Sequence, residues 1–226
     1  MANTLLTIGV LAGTLLGGYL LGSLNAAIIV SRLLKGDDIR RHGSGNAGMT
    51  NMLRTYGKGP AALTALVDFL KAAAAILLAR FLVGFYAAAY AVQLGIDVGY
   101  IAGLGALLGH LFPLYFGFKG GKGAITALGV IFCLNPLVFA ILVAVFVPLI
   151  FITRIVSISS IVGAASIPFL TWAVLAYQGK PPFFDSLFSG AIGLIIIVMH
   201  RENIRRLLNG TENRFGKKKK EEDGRA

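Results

Sequence analysis

Apolar runs alternate with short polar stretches along the whole chain. Residues 5–30, 61–82, 98–116 and 156–177 each meet or approach the ~20 helical residues needed to cross hydrocarbon. A shorter run, 187–199, continues into an amphipathic end. Residues 124–153 would make one helix of ~45 Å, against ~30 Å of hydrocarbon. Asn135-Pro136 interrupts that run near its middle, as a turn would, and divides it into two short spans. The pattern predicts an all-α integral membrane protein, a polytopic bundle of about seven transmembrane helices, two of them short. Residues 1–215 are expected to form a single membrane-embedded domain, and 216–226 a basic, disordered tail.

Charge sets the topology. By the seven-span count, 18 of the 21 Lys and Arg residues fall on one side, with Arg80 and Lys180 opposite and Lys71 inside a span. Treating 124–153 as one crossing would send the nine basic residues from Arg201 onward outward, so an even number of crossings, or a re-entrant hairpin, is expected there. The expected arrangement has the N-terminus outside and the C-terminus cytoplasmic. The first run is long and lacks a basic leader, so it reads as a retained span. A formal net charge of +11 suggests nucleic acid at first sight, but the basic residues sit between spans, where anionic lipid accounts for them, and no nucleic-acid partner is expected. The single cysteine, Cys133, allows no intrachain disulfide and no thiol metal cluster.

Within the spans, Gly9, Gly13 and Gly17 recur every fourth residue, as do Gly18 and Gly22, giving two small-residue faces for close helix packing. Ser23 and Asn25 are expected to face protein or a site. Asp68 and Lys71, three positions apart on one helical face, should face the bundle interior, either as a structural ion pair or as part of a site. His110, near the end of its span, reads as a helix-end donor or a catalyst.

Three polar stretches then fall on one face. The first, around Gly43–Asn51, is rich in glycine, amide and hydroxyl groups; Gly43, Gly45 and Gly48 free the backbone to form an anion nest, and Ser44, Asn46, Thr50, Asn51 and Arg54 add donors suited to phosphate. The second reads as another glycine nest and carries Lys119 and Lys122 among Gly117, Gly120, Gly121 and Gly123. The third carries His200, Asn203 and Arg206. Together they predict a basic pocket at headgroup level that holds more than one phosphate, with apolar spans beside it for a lipid tail. No strand precedes Gly43, which argues against a dinucleotide fold, and Lys122 is not followed by Ser or Thr, which argues against a P-loop.

GSGNAGMTN at 43–51, FGFKGGKGAITALG at 116–129 and HRENIRRLLNGTE at 200–212, with LVDFLK at 66–71 and LGHLFP at 108–113, resemble in order and spacing the motifs of the bacterial acyl-phosphate:glycerol-3-phosphate acyltransferases, the PlsY type. The resemblance spans nearly the whole chain before the tail. It implies a multi-pass enzyme of the bacterial cytoplasmic membrane, with its active site facing the cytoplasm. That enzyme would use acyl phosphate and glycerol 3-phosphate as substrates, with membrane lipid around it and no cofactor or obligate protein partner. By the same similarity Ser44, Arg54, His200 and Asn203 would act in catalysis, the residues from Lys119 to Gly123 in glycerol phosphate binding, and Glu212 in structural support. The remaining substrate-binding candidates are Gly43, Gly45, Asn46, Thr50, Asn51, Asp68, Lys71 and His110. The base for the attacking hydroxyl stays open between a substrate phosphate, His200 and Asp68. None of His42, His110 or His200 has an Asp at the offset of the acyl-CoA-dependent acyltransferases, and only Asp68 could serve the aspartate cluster of a CDP-alcohol phosphotransferase. The non-enzyme alternative is a transporter of a phosphorylated metabolite.

Overall fold

The computed structural model describes residues 2–90 and 97–214. Every regular element among them is helical. Helix α1 (Ala2–Gly22) and α2 (Ala26–Lys35) are separated by a break at 23–25, where the sequence suggested one continuous span. Asn25 makes the break: its Oδ1 caps α2 by accepting from Ile28 N at 3.2 Å. A short helix α3 (Met49–Tyr56) precedes α4 (Lys58–Tyr90), which runs further than the expected 61–82. Next come α5 (Val98–Leu111), α6 (Ala124–Leu134), α7 (Pro136–Thr153), α8 (Val156–Tyr177), α9 (Phe183–Met199) and α10 (Arg201–Leu208). The tail 216–226 lies outside the described residues.

Asn135 and Pro136 divide the long apolar run as expected. Asn135 Oδ1 accepts from Val138 N at 3.2 Å, and Pro136 occupies the first position of α7, where its missing N–H costs nothing. Among the described residues, five helical stretches are long and apolar enough to cross a bilayer; α9 with α10, bent by 58°, makes a sixth. Helix α6, with 11 residues, reaches only ~16 Å.

The small-residue faces do not share one fate. Gly18 and Gly22 lie against α5: a Cβ on either would sit 2.4 Å from Ala102 O and 2.1 Å from Ala106 O. Gly105 and Gly109 of α5 return the approach against Leu15 O and Tyr19 O. The two backbones can come this close only because neither carries a side chain there. Gly9, Gly13 and Gly17, by contrast, have nothing within 4 Å. At the end of the bundle where α4 closes and α5 begins, Arg80 pairs with Asp97 and donates to Cys133 O at 3.1 Å. The functional chemistry gathers at the other end.

Candidate active site

Ser23, Leu24 and Asn25, the break between α1 and α2, rest on a buried charged cluster. Lys71 Nζ donates to Asp68 at 2.7 Å, to Leu24 O at 3.1 Å and to His110 Nδ1 at 3.0 Å, so each ammonium proton has an acceptor. Asp68 also accepts from Ala26 N at 3.4 Å. His110 Nδ1 also lies 3.3 Å from Asp68 Oδ1, but its shorter contact is with Lys71, whose ammonium can only donate, so Nδ1 accepts there and the ring proton sits on Nε2. The pair is therefore a structural lock on the helix break, while Asp68 and His110 also reach the floor of the cavity above it.

Above this floor, residues 43–48 form a loop held by one amide. Asn51 is almost fully buried; its Oδ1 accepts from Ser44 N at 3.0 Å, and its Nδ2 donates to His42 O at 2.9 Å, Asn46 O at 3.1 Å and Ile39 O at 3.3 Å. Asn51 thus shapes the loop rather than offering its donors to a ligand. Gly45 N and Gly48 N are likewise spent within the loop, on His42 O and Asn46 O. Ser44 and Arg54 remain exposed at the cavity wall.

The second glycine stretch corrects the nest expectation. Gly120 N donates to Leu111 O at 3.1 Å and Gly121 N to His110 O at 3.2 Å, so these amides finish the end of α5 instead of facing an anion. Their lack of side chains serves close packing: a Cβ on Gly121 would lie 2.2 Å from His110 Nε2 and 2.7 Å from Ala47 O. The Lys119 side chain is exposed and stands apart from the cavity. Lys122 is the residue this stretch delivers.

Helix α9 bends into α10 at His200, which is 5% exposed. Its Nδ1 donates to Ile196 O at 2.8 Å; a carbonyl only accepts, so in the neutral ring Nε2 carries the lone pair. Lys122 Nζ donates to Asn203 Oδ1, and Asn203 Nδ2 donates to Glu212 Oε1 at 2.8 Å. Arg206 Nε donates to Glu212 Oε2 at 2.7 Å, and Ser157 Oγ donates to Oε1 at 3.0 Å. Burial raises the Glu212 pKa, but hydrogen bonds from Asn203, Arg206 and Ser157 outweigh it and leave the carboxyl below its ordinary value. Burial, with Arg206 and Arg54 nearby, pulls the Lys122 pKa down.

All three polar stretches meet in one cavity of about 1030 Å³. Of the predicted residues, Gly43, Ser44, Asn46, Thr50, Asn51, Arg54, Asp68, His110, Lys122, Gly123, His200, Asn203 and Glu212 line it. Gly45, Lys71, Lys119, Gly120 and Gly121 do not. Val156, Ser157 and Ser160 at the start of α8 also line it, so the α6–α7 pair leaves this end of the bundle and returns to it. The serines were not singled out in the sequence; the one signal was that Arg154 shares the basic side. Arg54, Lys58, Lys122, Arg206 and Arg214 face two carboxylates, Asp68 and Glu212, both already paired. The cavity is thus strongly cationic, partly polar and continuous with apolar helix ends, an arrangement suited to anionic headgroups with tails.

A family model described as glycerol-3-phosphate acyltransferase matches residues 12–210. The chain belongs to the glycerol-3-phosphate acyltransferase family. It is 41% identical over 204 residues to the glycerol-3-phosphate acyltransferase of Clostridioides difficile, covering 89% of this chain and 93% of that protein. It is 42% identical over 215 residues to the enzyme of that name from Rhodopseudomonas palustris, covering 94% and 100%. The fold is similar to the crystal structure of PlsY (YgiH), an integral membrane glycerol 3-phosphate acyltransferase, in its glycerol 3-phosphate form, with TM-score 0.76, 37% identity and coverage of 91% of this chain and 96% of that one. The lysophosphatidic acid form of PlsY gives TM-score 0.74 and 35% identity. Family membership makes this chain a membrane acyltransferase, and its place in lipid biosynthesis follows.

Proposed function

We propose that this protein transfers a fatty acyl group from acyl phosphate to the sn-1 hydroxyl of glycerol 3-phosphate, giving 1-acylglycerol 3-phosphate and inorganic phosphate. The glycerol hydroxyl oxygen attacks the acyl carbon, the acyl–oxygen bond to phosphate breaks, and the hydroxyl proton leaves with the phosphate. Both reactants carry phosphate. The single observation that carries this reading is the convergence of Ser44, Arg54, Lys122, His200 and Asn203, from three distant stretches, on one cationic cavity.

The mixed anhydride has a good leaving group, so positioning and charge stabilisation can supply most of the rate. Arg54 offers a guanidinium fork to a phosphate, and Lys122 a point charge. The Nε2 lone pair of His200 is suited to hold the attacking hydroxyl, and the Nε2–H of His110 to donate to an anionic oxygen. Asp68 is a poor base while Lys71 neutralises it. Glu212 supports the site by holding Asn203 and Arg206 in place. In this reading the chain makes seven traverses of a bacterial cytoplasmic membrane, with the cavity opening to the cytoplasm.

The test is incubation of purified protein with acyl phosphate and labelled glycerol 3-phosphate. A labelled lysophospholipid, formed with equimolar phosphate release, is the expected result. No acylated product, together with labelled solute entering protein-containing vesicles, would replace the reading with transport.

A further inference from the structure

The segment that delivers Lys122 turns through two consecutive left-handed residues, Gly117 at φ +69° and Phe118 at φ +59°. Glycine takes this conformation freely; phenylalanine does not, because its Cβ crowds the following carbonyl. Packing does not hold Phe118 there, since it is 56% exposed. The turn is gripped from its backbone instead. Phe116 N and Phe118 N both donate to Pro113 O, at 3.1 and 2.9 Å. The carbonyls on either side of the left-handed pair, Phe116 O and Lys119 O, both accept from Arg40 Nη1, at 2.6 and 3.2 Å.

Arg40 is fixed in turn. Its Nε donates to Asp38 Oδ1 at 3.0 Å and its Nη2 to Asp38 Oδ2 at 2.8 Å, a two-point grip on the carboxylate. Asp38 also pairs with Arg32 at 2.9 Å, and the guanidinium of Arg32 lies 5.5 Å from the centre of the Phe116 ring. Neither Arg40 nor Asp38 lines the cavity. One planar fork therefore ties a residue just before the first glycine loop to the backbone of the second. A lysine, with three donors on a single nitrogen, cannot make the four contacts that Arg40 makes from three nitrogens spread across one plane.

We propose that Arg40, seated on Asp38, is a positioning residue for the acyl transfer: it latches the strained turn at Gly117–Phe118 and so sets Lys122 against Asn203. This rests on the acyltransferase reading above for its kinetic test, and on a second measurement that is independent of it.

The experiment uses purified full-length protein. Arg40→Lys is expected to raise KM for glycerol 3-phosphate by about tenfold, the loss of a charged hydrogen bond, while kcat changes by less than about threefold. Phe118→Gly in the Arg40→Lys background should bring KM back to within about threefold of wild type, because glycine adopts the left-handed turn unaided. Phe118→Ala in that background should not. Trypsin cleavage after Lys119 and Lys122 should quicken in Arg40→Lys by about fivefold, as the segment opens locally, and slow again with Phe118→Gly. The latch is overturned by unchanged KM with unchanged cleavage, by a fall in kcat alone, or by equal rescue from glycine and alanine. If wild-type protein made no acylated product, the acyltransferase reading would fail, and the cleavage rates would still decide the latch.

Discussion

Asn203 Nδ2 donates a hydrogen bond to Glu212 at 2.8 Å while its oxygen accepts one from Lys122. One buried amide thus joins the second polar stretch to the third. Its orientation is imposed by Glu212, which can only accept, and by Lys122, which can only donate.

Removing the Glu212 charge should therefore cost stability and activity together. Glu212→Gln leaves Arg206 partly unpaired, and a loss of about 1–3 kcal/mol is expected. The pKa of Glu212 is lowered from 4.5 by Asn203, Arg206 and Ser157 against the opposing effect of burial, so its contribution is complete above 4.5 and fades as pH falls through the lowered value. Thermal unfolding of detergent-purified protein should show a constant gap between wild type and Glu212→Gln at neutral pH, closing in acid. A gap that widens in acid would contradict this pairing.

Lys122 should make substrate binding sensitive to alkali. Its ammonium is destabilised by burial and by Arg206 and Arg54, so it gives up its proton at a lower pH than an ordinary lysine at 10.5. KM for glycerol 3-phosphate is expected to rise as pH climbs through that lowered value. Lys122→Arg should remove the alkaline rise, and Lys122→Met should lower kcat/KM by about 10- to 100-fold at neutral pH, the loss of a charged hydrogen bond.

His200 is placed to accept a proton or a hydrogen bond through Nε2, since Nδ1–H is committed to Ile196 O. His200→Gln should lower kcat by about 10²-fold or more, the usual scale of a positioned acid–base group. Wild-type turnover with an unchanged pH profile in His200→Gln would exclude the imidazole from proton handling and leave the departing phosphate as acceptor.

Glycine substitutions should separate packing from decoration. Gly121→Ala forces a methyl group to 2.2 Å from His110 Nε2 and 2.7 Å from Ala47 O, and overpacking of this kind costs about 1–3 kcal/mol. It should abolish most activity. Gly13→Ala meets nothing within 4 Å and should leave turnover unchanged, as measured in the same purified preparations.

Much of this was legible in the sequence because membrane spans are written in long apolar runs. The division at Asn135-Pro136 followed from length, and the return of α7 to the basic side followed from charge. The break at Ser23–Asn25 did not announce itself, because two small polar residues inside an apolar run look like tolerated exceptions. The three polar stretches were identified as partners by composition and by resemblance. What composition could not supply was the direction of each hydrogen bond. Gly120 and Gly121 read as an anion nest, yet their amides close α5, because a glycine serves a close backbone approach as readily as an open loop. Asn51 read as a ligand donor, yet the loop consumes all its bonds. Arg40 passed as one basic residue among many, because its partners are backbone carbonyls 76 and 79 positions away.

The central claim is that the three stretches form one cavity on one face of the membrane. In a Cys133→Ser background, single cysteines at Ser44, Lys122 and Asn213 can be labelled with a membrane-impermeant maleimide in right-side-out and inverted vesicles. All three should react only in inverted vesicles, where the cytoplasmic face is outward. Labelling of any one of them from the opposite side to the other two would contradict the account.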